Sequence, residues 1–263
     1  MAYETITVER EDNVGIITLN RPPANPINST LLSELNQALT ELKADKAIRA
    51  LIITGAGDRF FSAGFDIKSA FGPDAARGGP AGPTGQEVFF NIERFPKPII
   101  AAINGYAGGG GCELAMSCHF RIMVDAERAV IGQPEIDRGI IPGWGGTQRL
   151  PRLVGKTRAL EMLLLGQEKM IRAPEALEIG LINKVSRPGE VLNDAKELAK
   201  KLAKKAPIAM SIIFDCVMRG LETTLEEGIK IEAEGSRRVT QTKDAQEGMM
   251  AFVQKREPVY KGE

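Results

Sequence analysis

Along MAYETITVEREDNVGIITLN, apolar and polar residues alternate with the two-residue period of half-buried strands. Val8 and the run Val14 to Leu19 predict a hairpin, with Asp12 and Asn13 in its turn and Arg21-Pro22-Pro23 ending the second strand. The period then changes. Leu31, Leu32, Leu35, Leu39 and Leu42 recur at helical spacing behind Asn28 and Ser29, which are suited to cap a helix N-terminus. Residues 48–54, IRALIIT, form a continuous apolar run of the kind buried on both faces in a parallel sheet, stopped by Gly55-Ala56-Gly57. The succession returns with an amphipathic helix near 86–95, a strand at 99–103, a helix around 112–117 behind a glycine run, and a strand at 120–124. Between them RGGPAGPTG, residues 77–85, has almost nothing to bury and predicts a surface loop. Strand, helix, strand in repetition predicts an α/β core with right-handed crossovers. From Gly145 onward the pattern is mainly helical, at 145–153, 156–165 and 174–179, then a short strand at 181–185 and helices near 190–204, 207–219, 222–239 and 244–255. No linker composition separates the halves. The organisation expected is an α/β core over 1–200 and a C-terminal helical region over 201–263, placed to supply subunit contacts, with no internal repeat visible in the sequence.

Composition narrows the chemistry. The chain has 263 residues, 43% of them hydrophobic, enough to bury a substantial core and to exclude a disordered or collagen-like polymer. Lys plus Arg and Asp plus Glu number 34 each, so no general nucleic-acid or anionic-membrane surface is indicated. The N-terminus carries early acids, unlike a signal or transit peptide, and the most apolar stretch, 98–118, is interrupted by Asn104, glycines and Glu113. Cys112, Cys118 and Cys216 form neither a disulfide framework nor a zinc spacing, which fits a reducing compartment. A single histidine, His119, rules out a multi-histidine metal site. Proton chemistry therefore falls to carboxylates.

Three segments carry candidate chemistry. Phe60 to Lys68 (FFSAGFDIK) follows a buried strand, and its small residues let a ligand approach the backbone; the alternative is an ordinary loop with Asp66 as a helix cap. Gly108 to Gly111 stand between a strand and a helix, where unpaired N–H groups and partial positive charge suit an anion or a developing oxyanion. Glu113 in that first turn reads either as a favourable dipole partner or as a general acid or base. In Gly132 to Ile136 (GQPEI), Glu135 is either a solvated turn acid or a desolvated carboxyl with a raised pKa. Glu113 and Glu135 together would make a two-carboxylate pair, although a spacing of 22 residues does not bring them together by itself.

Taken in order, Ser62 to Lys68, then Lys97 to Ala107 leading into Gly108 to Leu114, then Gly132 to Ile136 with Ile141 to Leu150, resemble the enoyl-CoA hydratase/isomerase (crotonase) superfamily over nearly the whole chain. The resemblance implies an α/β, crotonase-like spiral of repeated ββα units with C-terminal helices that trimerise, giving a homotrimer or a hexamer built as a dimer of trimers. It implies acyl-CoA thioester substrates and no metal or redox cofactor, coenzyme A being part of the substrate. By position, the backbone N–H groups of Phe65 and Gly110 would form an oxyanion hole. Ala63, Phe65, Asp66, Ile67, Lys68 and Gly110 would line the CoA groove, with Lys68 near the phosphates, and Trp144 would line the acyl pocket. Glu113 and Glu135 fall on the two catalytic glutamate positions of the hydratases, Glu113 activating water and Glu135 donating a proton at C2. The implied activity is a cytoplasmic lyase of fatty-acid β-oxidation type, reversibly converting a trans-2-enoyl-CoA to a 3-hydroxyacyl-CoA. The alternatives are an isomerase, hydrolase or decarboxylase working with one of the two acids, or a non-catalytic binding relative. Departures from the common pattern are Phe65 in place of Ala, Gly108 in place of Leu, and His119 in place of Asp.

Overall fold

A computed structural model describes residues 3–71 and 82–263. The first hairpin forms as the pattern predicts, β1 (Ile6–Glu11) antiparallel to β2 (Val14–Leu19) with Ile6 opposite Leu19. Helix α1 (Ser29–Ala44) is capped by Asn28, whose side chain accepts from the Leu31 amide, and its leucine face is buried. The apolar run becomes β3 (Ala50–Gly55), buried at every residue. Next come β4 (Phe60–Ser62), α2 (Ile67–Phe71), α3 (Gly85–Glu93), β5 (Ile99–Ile103), β6 (Tyr106–Gly108), α4 (Gly110–Ser117), β7 (Phe120–Val124) and β8 (Val130–Gly132). The second half holds α5 (Gly146–Val154), α6 (Lys156–Leu165), β9 (Ile171–Arg172), α7 (Ala173–Glu178), β10 (Lys184–Ser186), α8 (Val191–Ala203), α9 (Pro207–Gly220), α10 (Leu225–Thr240) and α11 (Lys243–Gln254).

The strands divide between two sheets in a regular way. A six-stranded sheet runs β1-β2-β3-β5-β7-β10, parallel from β2 onward, and a four-stranded sheet runs β4-β6-β8-β9. Each of β3, β5 and β7 in the large sheet is followed at once by β4, β6 or β8 in the small one, and then by helix. The ββα spiral is thus present in space although no repeat shows in the sequence. Its small-sheet strands are three residues long, too short to display a period. Asn104, just past β5, locks the end of β3 and the turn beyond it: its amide donates to Gly55 O at 2.9 Å and Gly57 O at 2.8 Å, and its carbonyl accepts from the Gly55 amide at 3.0 Å.

Two further differences have physical causes. The strand expected at 181–185 begins only at Lys184, because buried Leu181 and Ile182 serve as packing rather than pairing, and Arg121 Nε donates to Leu181 O at 2.7 Å. Helix α4 starts two residues earlier than the glycine run suggests, at Gly110. Helix α8 spans residue 200 and packs on the large sheet through Val191, Ala195 and Ala199. The predicted loop over 77–85 lies outside the described residues up to 81; at its end Thr84 and Glu87 form a capping box that starts α3. Among the described residues no helix is long and apolar enough to cross a membrane.

Candidate active site

The site lies where α4 begins. All eight residues of α4 are buried, and the helix packs against β4, α3 and α5. The turn after β4 supplies a second amide. Ser62 Oγ donates to Asn25 O at 2.7 Å and accepts from the Gly64 amide at 3.1 Å, while Ile27 N donates to Gly64 O at 2.7 Å and Asp66 N to Ile27 O at 2.9 Å. Those bonds consume the amides on either side of Phe65 and leave its own N–H without an acceptor among the described residues, as is that of Gly110. The two converge: a Cβ built on Gly110 would stand 3.2 Å from Phe65 N. Gly64 makes the approach possible, with φ +87° and no room for a Cβ, which would lie 2.8 Å from Gly110 N and collide with Gly108 O. Two converging free amides, one of them at a helix N-terminus, are a preorganised site for an oxyanion.

Two carboxylates border this pair of amides. Glu113, 2% exposed, receives the Trp144 and Gly146 amides on its Oε1, both at 2.7 Å. Burial raises its pKa, opposed by those two N–H groups and by the Arg149 charge. Arg149 is fixed in turn by Glu93, at 2.9 and 3.2 Å, and by Trp144 O at 2.8 Å. Glu135 begins a 3₁₀ turn, Glu135–Arg138, directly after β8. Its carboxyl lies against Gly109, where a Cβ would stand 2.7 Å from Oε1. Burial first, and then the Glu113 charge, push Glu135 up to about 7, against the opposing pull of its own backbone amide and Arg138. The spiral therefore unites two acids that the sequence leaves apart, and their charges interact.

Gln133 carries no functional signal in the sequence. It is fully buried, and with its amide nitrogen toward Glu135 it donates to the two carboxylate oxygens at 3.0 and 3.2 Å. The backbone amides of Trp144 and Gly146 also went unassigned; the clustered glycines around them were the available signal.

The other expected residues are distributed unevenly. Ala63, Phe65, Ile67 and Lys68 are exposed, while Ser62, Gly64 and Asp66 are buried, so one edge of the turn presents a continuous outward stripe. Asp66 faces inward instead: its Oδ2 pairs with Arg21 at 2.7 Å, and its Oδ1 caps α2 by accepting from Lys68 N at 3.1 Å and Ser69 N at 3.2 Å. Burial would raise its carboxyl, but the Ser69 amide and Arg21 outweigh that and hold it below the usual range. Trp144 is half-buried and meets Phe65 and Phe89 edge to face, ring centroids 5.6 and 5.4 Å apart. His119 stacks on Phe214 at 4.1 Å and accepts from the Ile99 amide through Nδ1, and burial drives its pKa down to about 4, so it serves as a neutral packing group. Cys112 and Cys118 are buried thiols, and burial pushes Cys118 up to about 12. Among the described residues no three His, Cys, Asp or Glu side chains gather as a metal site.

Comparison with known proteins fits this geometry. The family model described as enoyl-CoA hydratase/isomerase matches residues 9–263. A crotonyl-CoA hydratase of Syntrophomonas wolfei is 44% identical over 257 residues, covering 97% of each chain. A short-chain-enoyl-CoA hydratase of Clostridium acetobutylicum is 41% identical with the same coverage. The crystal structure of an enoyl-CoA hydratase from Bacillus anthracis superposes with a TM-score of 0.91 at 39% identity, over 99% of this chain and 100% of that one.

Proposed function

The chain belongs to the enoyl-CoA hydratase/isomerase family, and on that premise we propose that it is an enoyl-CoA hydratase adding water reversibly to a trans-2-enoyl-CoA. The observation that carries the reading is the pair of unequal carboxylates beside two free amides, with Glu113 anchored through Oε1 and Glu135 held near neutrality. The thioester oxygen accepts from Phe65 N–H and Gly110 N–H, which stabilise the enolate as C3 is attacked. Glu113 takes a proton from water through its second oxygen, the hydroxide adds to C3, and Glu135 delivers its proton to C2. One acid begins protonated and the other ends protonated, so proton exchange between them resets the site.

The exposed stripe of Ala63, Phe65, Ile67 and Lys68 suits a CoA groove with Lys68 beside the phosphates, and Asp66 supports that groove from beneath. Proton and water chemistry on two carboxylates requires no metal or redox cofactor. A place in cytoplasmic fatty-acid metabolism fits three free cysteines. Exposed apolar residues on α9–α11, such as Val217, Leu225 and Phe252, support a homotrimer or a dimer of trimers.

Loss of the conjugated enoyl-thioester absorbance with crotonyl-CoA tests the reading directly. Wild type should turn over, and Glu113→Gln and Glu135→Gln should each lose roughly 10²- to 10⁴-fold. Hydration that survives both substitutions near the wild-type rate would overturn the two-carboxylate mechanism, and an isomerase would show itself by shifting a 3-enoyl-CoA while leaving crotonyl-CoA untouched.

A further inference from the structure

The Trp144 indole is half-buried, packed between the start of α3, the start of α4 and the turn that carries Phe65. Its five-membered edge lies so close to the start of α3 that a Cβ on Gly85 would overlap it, with Nε1 2.5 Å away. Its six-membered edge lies over Gly110, where a Cβ would stand 2.7 Å from Cε3 and 3.2 Å from Phe65 N. The rings of Phe65 and Phe89 meet it edge to face, Phe89 being fully buried. Its own backbone N–H is the Glu113 anchor and its carbonyl is bonded by Arg149. The backbone of Trp144 is therefore fixed from both sides, by Glu113 and by Arg149. The indole edge, the oxyanion amides and the anchored carboxylate thus share one small space.

A substrate placed with its carbonyl oxygen on the two amides must run its acyl chain past Glu113 and Glu135. The terminal carbon of a four-carbon acyl group ends about 4 Å from the carbonyl carbon, three zigzag bonds of about 1.5 Å. The indole stands beside that path, over Gly110 and against the Phe65 ring. We propose that Trp144, clamped by Gly85, Phe65 and Phe89, is the specificity-determining residue of the site and closes it to acyl chains much longer than four carbons. This rests on the hydratase reading for its reaction, and on the indole's position alone for its length limit.

The test is a kcat/KM series on trans-2 crotonyl-, hexenoyl-, octenoyl- and decenoyl-CoA for wild type, Trp144→Ala and Trp144→Phe. Calorimetric binding of butyryl- and octanoyl-CoA to the same three proteins runs beside it. A methylene fitted or refused by an apolar pocket is worth about 10- to 200-fold. Wild type should therefore fall at least ~10-fold between crotonyl- and octenoyl-CoA, and Trp144→Ala should raise the octenoyl-to-crotonyl ratio at least ~10-fold. Octanoyl-CoA should gain on butyryl-CoA in the binding assay, and Trp144→Phe, which keeps an aromatic wall, should stay near the wild-type ranking. Wild type that handles octenoyl-CoA as well as crotonyl-CoA overturns the proposal without any variant. So does a Trp144→Ala protein whose rate ratio and binding preference both match wild type. A wild type that hydrates nothing, but whose preference for butyryl-CoA over octanoyl-CoA shifts in Trp144→Ala, overturns the hydratase reading and supports the length limit.

Discussion

At the scale of single residues the decisive quantity is the proton that Glu113 and Glu135 hold between them. Burial and the Glu113 charge lift Glu135 to about 7 from the 4.5 of an ordinary glutamate. Hydration consumes no net proton, so the same singly protonated pair must serve both directions. We therefore expect kcat/KM for hydration and for dehydration to fall together as pH rises through about 7; profiles flat to pH 9 would show that Glu135 does not work as the acid. The same raised pKa carries a stability effect. Between the unfolded and folded pKa values the native state keeps a proton that the unfolded chain has lost, so this group's contribution is intact below about 4.5 and is lost as pH rises through about 7. Glu135→Gln removes that dependence. Its melting temperature relative to wild type should be more favourable at pH 8 than at pH 5, and an equal difference at both values would mean that the carboxyl is not held neutral.

Elements place these residues, and the parts of the site differ in how legible they are in the sequence. The leucine stripe of α1 and the continuous run of β3 were readable because a long element repeats its period many times. Strands β4, β6 and β8, three residues each, offer no period, yet they carry the turns that lead to Phe65, Gly109 and Glu135. The roles proposed for Glu113, Glu135 and the Phe65 and Gly110 amides rest on the family resemblance, whereas Gln133 and the Trp144 and Gly146 amides meet the two glutamates only through contacts made after folding. Arg149 tests how much those contacts matter. Its side chain is 11% exposed, and it joins α3 to the Trp144 carbonyl through Glu93. Arg149→Ala strands a partly buried carboxylate and loosens the segment whose amides hold Glu113, so a loss of about 3 kcal/mol in stability is expected from urea unfolding, with a lower kcat. Gly64→Ala attacks the other side of the site. A Cβ there collides with Gly108 O at a φ that favours glycine, and displacing one oxyanion donor should cost about 10²- to 10³-fold in kcat. Wild-type kcat in Gly64→Ala would mean that the Phe65 and Gly110 amides do not stabilise the transition state.

For the whole molecule the remaining question is why the chain carries helices that bury so little of themselves. Helix α9 has 14 residues and buries only Ile212, while α10 has 16 and buries only Gly235. The two pack on each other where small residues meet: a Cβ on Gly235 would lie 2.7 Å from Ile212 and 2.8 Å from the Cys216 sulfur. Their outward faces are apolar at helical spacing, with Ile213 and Val217 on α9, Leu221 just past its end, and Leu225 and Ile229 on α10, each at least half exposed. A contiguous face of this kind is costly for a lone chain and is the usual mark of an association surface. A C-terminal region that trimerises would cover it with copies of itself and add the hydrophobic burial that α9 and α10 lack within one subunit, at about 25 cal/mol for each Å² removed from water. Placing two charges on the stripe, Ile213→Lys with Val217→Lys, should convert the assembly to monomers in light scattering and lower its melting temperature in a concentration-dependent way. The stripe lies on α9 and α10, which pack chiefly on each other, so the isolated subunit should keep a folded α/β core by circular dichroism. Wild type that runs as a monomer at all concentrations would leave the apolar face without a self-partner and overturn the trimer.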